Sequence, residues 1–238
     1  MKKVFFTLAV FVCTATFFAA CNKDEDEGSA VTINATVDDG ASYNSSIDEV
    51  KAVISHGDTV IFVVASGSYT NGGFSLTLPK SIDGKHLEPM DTDIPEGVTT
   101  SNLQVKGCGV NFYGYKSGEV VGMFQNGKND DVTYTAAESY IFVDGNTSIS
   151  GSSSETSDLM GMPITIKTSY NLTLKKGWNL VYFNMTPVLS ETEISMTMDI
   201  SNTPITGLKW YYTESYFSDL SVQKKMVELS KLKMQMLF

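Results

Sequence analysis

The chain of 238 residues contains no arginine: all 17 of its basic residues are lysines, against 27 acidic residues. Without a guanidinium group it lacks the side chain that best makes bidentate contacts to phosphate and to guanine. Its formal net charge of -10 also repels a polyanion. The composition therefore argues against nucleic acid as a partner.

Cysteine and histidine are scarce, with three and two residues. Cys13 and Cys21 belong to the N-terminal segment, which leaves Cys108 alone in the body of the chain as a buried small hydrophobe, unable to form an intramolecular disulfide or the usual closed zinc site. His56 and His86 fall in predicted loops, away from any zinc-protease, nucleophile-elbow or phosphate-loop pattern. The sequence thus predicts a protein without catalytic residues or a bound cofactor.

Long apolar runs are also missing, except at the start of the chain. Positions 1–3 carry two lysines, and positions 4–20 are uncharged, which is the layout of a bacterial export signal. The run ends in Phe18-Ala19-Ala20-Cys21, which resembles the lipobox cleaved by signal peptidase II. This resemblance implies a signal peptide over 1–20 and a lipidated Cys21; the alternatives are an ordinary secretory signal and an uncleaved anchor.

An acidic block follows the cysteine directly: Lys23, Asp24, Glu25, Asp26 and Glu27. Such a block is typical of a solvated spacer, and we assign residues 21–29 to an acidic tether. It also resembles the export signal that carries Bacteroidetes lipoproteins to the outer face of the outer membrane. The resemblance implies a protein bound to outer-membrane lipid through Cys21 and facing the cell exterior. Cleavage removes two lysines, so the processed charge is 15 minus 27, or -12.

Beyond the tether, apolar and polar residues alternate with a period of two, as in half-buried strands. The clearest example has Ile164, Ile166, Tyr170, Leu172 and Leu174 on one face, with only Thr168 interrupting it. About eleven or twelve such strands predict an all-β domain, an antiparallel sandwich or barrel, over residues 30–215.

The remaining segments are assigned by composition. Pro79 to Gly97 and the serine-rich Gly145 to Gly161 are predicted loops, Asn102 to Lys106 is a predicted strand, and Lys175 to Trp178 is a predicted hairpin turn. Helical spacing of apolar residues predicts an amphipathic helix or tail over 216–238.

Three sets of residues are candidate sites. Aromatic rings on a wet strand face stack against sugars, which singles out Tyr211 and Tyr113 for ligand binding, although core packing is the alternative for the aromatic residues around them. The acidic loop offers oxygen ligands for calcium, although solvation alone also explains it. Its ligands would be Glu88, Asp91, Asp93 and Glu96. Asp58-Thr59-Val60 resembles a Bacteroidetes O-glycosylation motif, which implies a glycan on Thr59.

The whole chain resembles the β-rich surface lipoproteins of the Bacteroidetes, in which a turn like Lys176-Gly177-Trp178 is common. The prediction is a non-catalytic, lipid-anchored surface protein whose β-domain binds a glycan or a protein partner. The alternatives are a structural or adhesive fimbria-associated component and, third, a hydrolase.

Overall fold

The structure is a computed structural model that describes residues 28–56, 59–90, 94–130, 134–159, 162–189 and 194–214. Within these ranges the only helical segments are two short 3-10 turns, Gly40–Tyr43 and Gly84–His86. The predicted all-β fold is confirmed. The signal peptide, the acidic block and the predicted C-terminal helix lie outside the described residues.

Fifteen strands account for nearly all regular structure in the described ranges. They are β1 (Val31–Thr36), β2 (Glu49–His56), β3 (Thr59–Thr70), β4 (Gly73–Leu78), β5 (Glu88–Pro89), β6 (Val98–Thr100), β7 (Lys106–Gly109), β8 (Asn111–Lys116), β9 (Glu119–Asp130), β10 (Tyr134–Val143), β11 (Thr147–Leu159), β12 (Met162–Leu174), β13 (Gly177–Leu189), β14 (Ile194–Ser201) and β15 (Lys209–Glu214).

These strands form one large sheet that does not close, in the order β1-β4-β3-β2-β8-β9-β10-β13-β14-β12-β11-β6. β15 pairs with β9, and β7 pairs with β10 and β5. All pairs are antiparallel except β12 with β14. Folding of this sheet over itself gives the sandwich-like layering predicted from the strand pattern.

β10 lies where the two halves of the sheet meet, and its side chains are buried on both faces. Tyr140 and Phe142 belong to one hydrophobic cluster, whereas Ile141 and Val143 belong to a second. Because successive side chains of a strand point to opposite faces, one strand serves both clusters. The nearly continuous apolar run at the end of β10 is the sequence pattern of such a two-sided strand.

The first cluster, here called the aromatic core, lies between β10 and the β1-β4-β3-β2-β8-β9-β15 half of the sheet. The Trp210 ring contacts the rings of Phe74 and Phe112 edge-on, with both centroids 5.2 Å away. Phe124 joins them through Phe74, also at 5.2 Å. Edge-to-face pairs of this kind add about 0.5–1.5 kcal/mol each beyond the area that they bury.

The second cluster, the aliphatic core, covers the other face of β10, β12, β13 and β14. Its sheet side includes Leu172 and Ile200. Its opposite side comes from Met90, Val98 and Val105, in the long connection between β4 and β7. Of these residues, Met90 belongs to the predicted Pro79 to Gly97 loop, so part of that loop covers the sheet.

The predicted hairpin at Lys175 to Trp178 is wrong in one respect. The turn exists, and Gly177 has the expected positive φ of 104°, but β14 lies between β12 and β13, so those strands do not pair. Beyond the end of β14, Asn202 bridges the gap: its Oδ1 accepts from the Thr173 N–H and its Nδ2 donates to the Leu180 carbonyl. The residues of a turn do not reveal that a strand from later in the chain will lie between the two strands that the turn connects.

Two further assignments are corrected. The serine-rich segment predicted as a loop is mostly β11, which pairs with β12 over its whole length. Serine has little strand preference of its own, so the backbone hydrogen bonds to an apolar partner strand decide its conformation. The strand predicted over 102–106 instead begins at Lys106, because β7 is positioned by its pairing with β10.

The two-sided burial of β10 predicts the effect of two adjacent substitutions. Ile141→Ala should lower the free energy of unfolding by about 2–5 kcal/mol through the aliphatic core, and Phe142→Ala by about 3–5 kcal/mol through the aromatic core. Urea unfolding followed by fluorescence and by circular dichroism should show one shared transition in both variants. Thr173→Ala, on an exposed position of β12, is the control. Two separate transitions would contradict the shared strand.

Candidate functional site

Tyr113 and Tyr211 lie on the same outward face of the sheet, although they are 98 positions apart in sequence. Tyr113 pairs with Met123 across β8 and β9, and Met123 pairs with Thr213 of β15. Tyr211 and Gln125 form the neighbouring row. We call these five residues the tyrosine face. Tyr211 is 37% exposed, so its ring is accessible to a ligand.

A lysine borders the tyrosine face on β2. Lys51 pairs with Tyr113, and its Nζ lies 4.2 Å from the centre of the Tyr115 ring. The same Nζ lies 3.3 Å from a carboxylate oxygen of Glu49. Aromatic rings flanked by amide, hydroxyl and ammonium groups offer both stacking and hydrogen bonds to a polyhydroxy ligand.

The neighbouring aromatic residues of β15 point inward, as the alternative of core packing predicted. Trp210 is only 8% exposed and lies in the aromatic core. Tyr212 packs against that core, and its hydroxyl donates to the Val121 carbonyl over 2.8 Å. The inward position of Tyr212 depends on Gly122, where an added Cβ would lie 2.5 Å from the Tyr212 ring. Alternation along β15 thus separates Tyr211 from its two neighbours.

A cleft lies between the end of β1 and the start of β15, which approach each other without pairing as strands. One isolated bridge joins Val37 to Trp210, and the Asp38 N–H donates to the Trp210 carbonyl over 2.7 Å. The Lys209 Nζ lies 3.0 Å from Asp38 Oδ1 across the same gap. The cleft has a volume of about 290 Å³ and is lined by residues 36–38, residues 208–210 and Asn126. We call it the seam cleft.

Asn126 connects the seam cleft to a half-buried carboxyl group on β10. Its Nδ2 donates to Glu138 Oε1 over 2.6 Å. Burial raises the pKa of Glu138, and the hydrogen bond from Asn126 opposes that rise. The pKa values of Tyr140 and Tyr182 are raised too, first by burial and then by the nearby Glu138 charge. Titratable groups perturbed by burial beside a cleft are characteristic of functional sites.

Two amide oxygens close to this carboxyl group are buried without a hydrogen-bond partner: Asn126 Oδ1 and Asn184 Oδ1. Asn184 lies on β13 in the row next to the Glu138–Tyr182 pair. Sequence reasoning missed this cluster. The only signal for it was one carboxylate within the mostly apolar strand 136–143, and strand spacing could not show that β9 and β13 would surround it.

The candidate calcium ligands are only partly described. Glu88 and Glu96 are exposed, whereas Asp91 and Asp93 lie outside the described residues. In the part of the chain that the structure does describe, no three histidine, cysteine or acidic side chains are grouped to hold a metal ion. Calcium binding stays a prediction. Thr59 is the first residue of β3, opposite His56, and its modification also stays a prediction.

Cys108 is buried, as its sequence context predicted, with 3% exposure. Burial, with a smaller contribution from the Glu88 charge, raises the pKa of its thiol to about 12. The thiolate is the reactive form of cysteine, so this residue is unreactive in the folded protein.

Comparison with known protein families, with curated proteins and with solved structures finds no match to this chain. Among the described residues, no helix has the length and apolar character needed to cross a membrane.

The environment of Glu138 predicts a pH-dependent effect of Glu138→Gln. An acid whose pKa is raised by folding destabilises the protein once it ionises, above its folded pKa, and has no effect below its unfolded pKa of about 4.3. Glutamine stays neutral and still accepts from Asn126. The variant should therefore unfold at a higher temperature than the unmodified protein at about pH 7, and the difference should vanish near pH 4.

Thermal unfolding at both pH values measures this difference, with Glu119→Gln, at an exposed position, as the control for loss of a charge. A Glu138→Gln variant that is less stable at neutral pH would contradict the assigned burial.

Proposed function

We propose that this protein is a lipid-anchored protein of the outer cell surface whose non-catalytic β-domain binds a glycan. The observation that carries the proposal is the tyrosine face. Tyr113 and Tyr211, from strands distant in sequence, lie on one outward face together with Gln125 and Thr213. Ring faces and hydrogen-bonding side chains on a fixed sheet are the combination that sugar recognition needs.

The chemistry of this face favours a glycan over a large protein partner. Core positions of protein interfaces are enriched in tryptophan, tyrosine and arginine. This chain has no arginine, and the Trp210 side chain is buried in the aromatic core. The accessible ring of Tyr211, beside an exposed amide at Gln125, suits a small polar surface such as a sugar ring.

The proposed anchor fits the place where the chain enters the domain. Gly28 packs closely on the β12–β13 turn: a Cβ added to it would lie 2.7 Å from the Gly177 Cα. Seven residue steps separate this point from Cys21, so the tether spans at most about 25 Å when extended. The β-domain would then stay close to the membrane surface to which Cys21 is attached.

Glycan binding is tested on a glycan array with the full-length protein in detergent. Tyr211→Ala should weaken binding at least tenfold, about 1.4 kcal/mol, because it removes the accessible ring. Tyr211→Phe should retain most of the binding, since stacking needs the ring and not the hydroxyl. Tyr113→Ala should weaken binding as well. Absence of glycan binding by the unmodified protein, together with copurified surface-filament subunits, would instead favour a structural role.

Anchoring and surface exposure are tested separately in cells. Labelling with a clickable palmitate analogue should mark the unmodified protein and be lost in Cys21→Ala, whereas Cys108→Ala should keep the label. Protease treatment of intact cells should digest the β-domain. Full protection of the domain, with membrane integrity verified, would rule out surface exposure.

A further inference from the structure

We propose that the acidic block, residues 23–27, lies against three lysines of the β-domain instead of extending freely as a spacer. The lysines are Lys106, Lys175 and Lys176, which we call the lysine end. The inference rests on the strand pairing that groups these lysines, on the charges of the two segments, and on the packing of Gly28. It depends neither on lipid attachment nor on glycan binding.

Strand pairing brings the lysines to one end of the domain. Gly107, Val143 and Gly177 form one row across β7, β10 and β13. Lys106 and Lys176 each precede a residue of that row, so their backbones lie just beyond it, about 10 Å apart for two strand spacings. Lys175 precedes Lys176 in the turn between β12 and β13.

Hydrogen bonds between neighbouring loops hold the backbone of the lysine end in place. The Lys176 N–H donates to Asn146 Oδ1 over 2.8 Å, and the Lys106 N–H donates to Asp144 Oδ1 over 2.8 Å. Asp144 and Asn146 belong to one turn, the one between β10 and β11. The lysine side chains therefore extend from a fixed backbone.

The lysine end carries positive charge that the described residues leave unpaired. Ion pairs between described residues use other lysines, namely Lys51, Lys85, Lys116 and Lys209. Lys106 and Lys175 are exposed, and Lys176 is half-buried. Their three ammonium groups outnumber the two carboxylates of the adjoining segments, Glu88, which lies opposite Gly107, and Asp144. This end of an acidic protein is thus locally basic.

The acidic block enters the domain beside these lysines. Glu27 directly precedes Gly28, and a Cβ added to Gly28 would lie 2.7 Å from the Gly177 Cα and 3.4 Å from the Lys176 carbonyl oxygen. Asp24 is four residue steps from Gly28, so the backbone of all four acids stays within about 14 Å of that contact. The block has four acids and one lysine. The connection through Gly28 therefore keeps a net negative segment next to the lysine end.

Covalent attachment favours the acidic block over a separate anion. A segment joined by a short linker is present at a millimolar effective concentration. Single exposed ion pairs contribute little stability, whereas several charges can act together as a network. A free phosphate has no geometric advantage here, since lysine lacks the planar fork with which arginine binds phosphate. With Cys21 lipidated, as proposed above, the contact would turn the lysine end towards the membrane.

A zero-length carbodiimide cross-linker tests the contact in the full-length protein in detergent, because it joins only carboxylates and amines that touch. Mass spectrometry should find links from the acids of the block to Lys106, Lys175 or Lys176. The link between Lys116 and Asp48, whose charged groups are 2.7 Å apart, is the internal positive control. Lys116 lies at the end of β8 farthest from β7, so the block should not be linked to it.

A variant that combines Lys106→Gln, Lys175→Gln and Lys176→Gln should release the block. Cleavage after Glu25 and Glu27 by a glutamate-specific protease at low salt should become about threefold faster, because the contact that shields this segment is lost. Lys116→Gln is the matched control, which removes one exposed lysine elsewhere and should leave the cleavage rate unchanged. Thermal unfolding checks that both variants are folded.

The proposal is overturned if the Lys116–Asp48 link forms without any link from the acidic block to the lysine end, or if the block is linked to Lys116 equally well. It is also overturned if the folded triple variant is cleaved at the rate of the unmodified protein. In each case the lysine end would be open to a separate anion, such as the phosphate of a lipid headgroup.

Discussion

Burial of β10 on both of its faces is the constraint on which the rest of the domain depends. Its Tyr140 and Phe142 side chains lie in the aromatic core, and Ile141 and Val143 lie in the aliphatic core. A strand with only one apolar face could bury a second layer of the domain on that face alone. Because β10 has two, the sheet can fold over one side of it while the connection between β4 and β7 covers the other.

The tyrosine face follows from the strands that pair with β9. β8 and β15 pair with opposite edges of β9, which brings Tyr113 and Tyr211 to one outward face, on either side of it. β9 pairs with β10 only over a short stretch near the start of β10. Close to that stretch, Asn126 reaches from β9 to Glu138 on β10. The seam beside Trp210 lies elsewhere, where β15 approaches β1.

The tyrosine face and the seam cleft differ in their chemistry. The tyrosine face is open, and it combines rings with an amide and a hydroxyl group. The seam cleft is small, and its lining includes the ion pair of Lys209 with Asp38 and Trp210. Under the function proposed here, a protein tethered at a membrane surface through Cys21 would present the tyrosine face to material outside the cell.

Alternation along each strand was sufficient to predict the all-β fold, the inward position of Trp210 and the outward position of Tyr211. These properties depend on the two-residue period of a strand, which acts between neighbours in sequence. Burial of Cys108 was predictable for a similar reason, since it lies in a short segment of small and apolar residues. The absence of arginine and the acidic charge are properties of composition alone.

The tertiary structure decided which strands became neighbours. The insertion of β14 between β12 and β13, the serine-rich β11, and the meeting of Glu138 with Asn126 all depend on contacts between distant segments. In the sequence, Glu138 is a single acidic residue within an apolar strand. Only its neighbours on β9 and β13 place it in a cluster of polar side chains. The alternation of residues along a strand determines on which face of the sheet a side chain lies. Strand pairing, which is set by burial of the whole sheet, determines which other side chains it contacts.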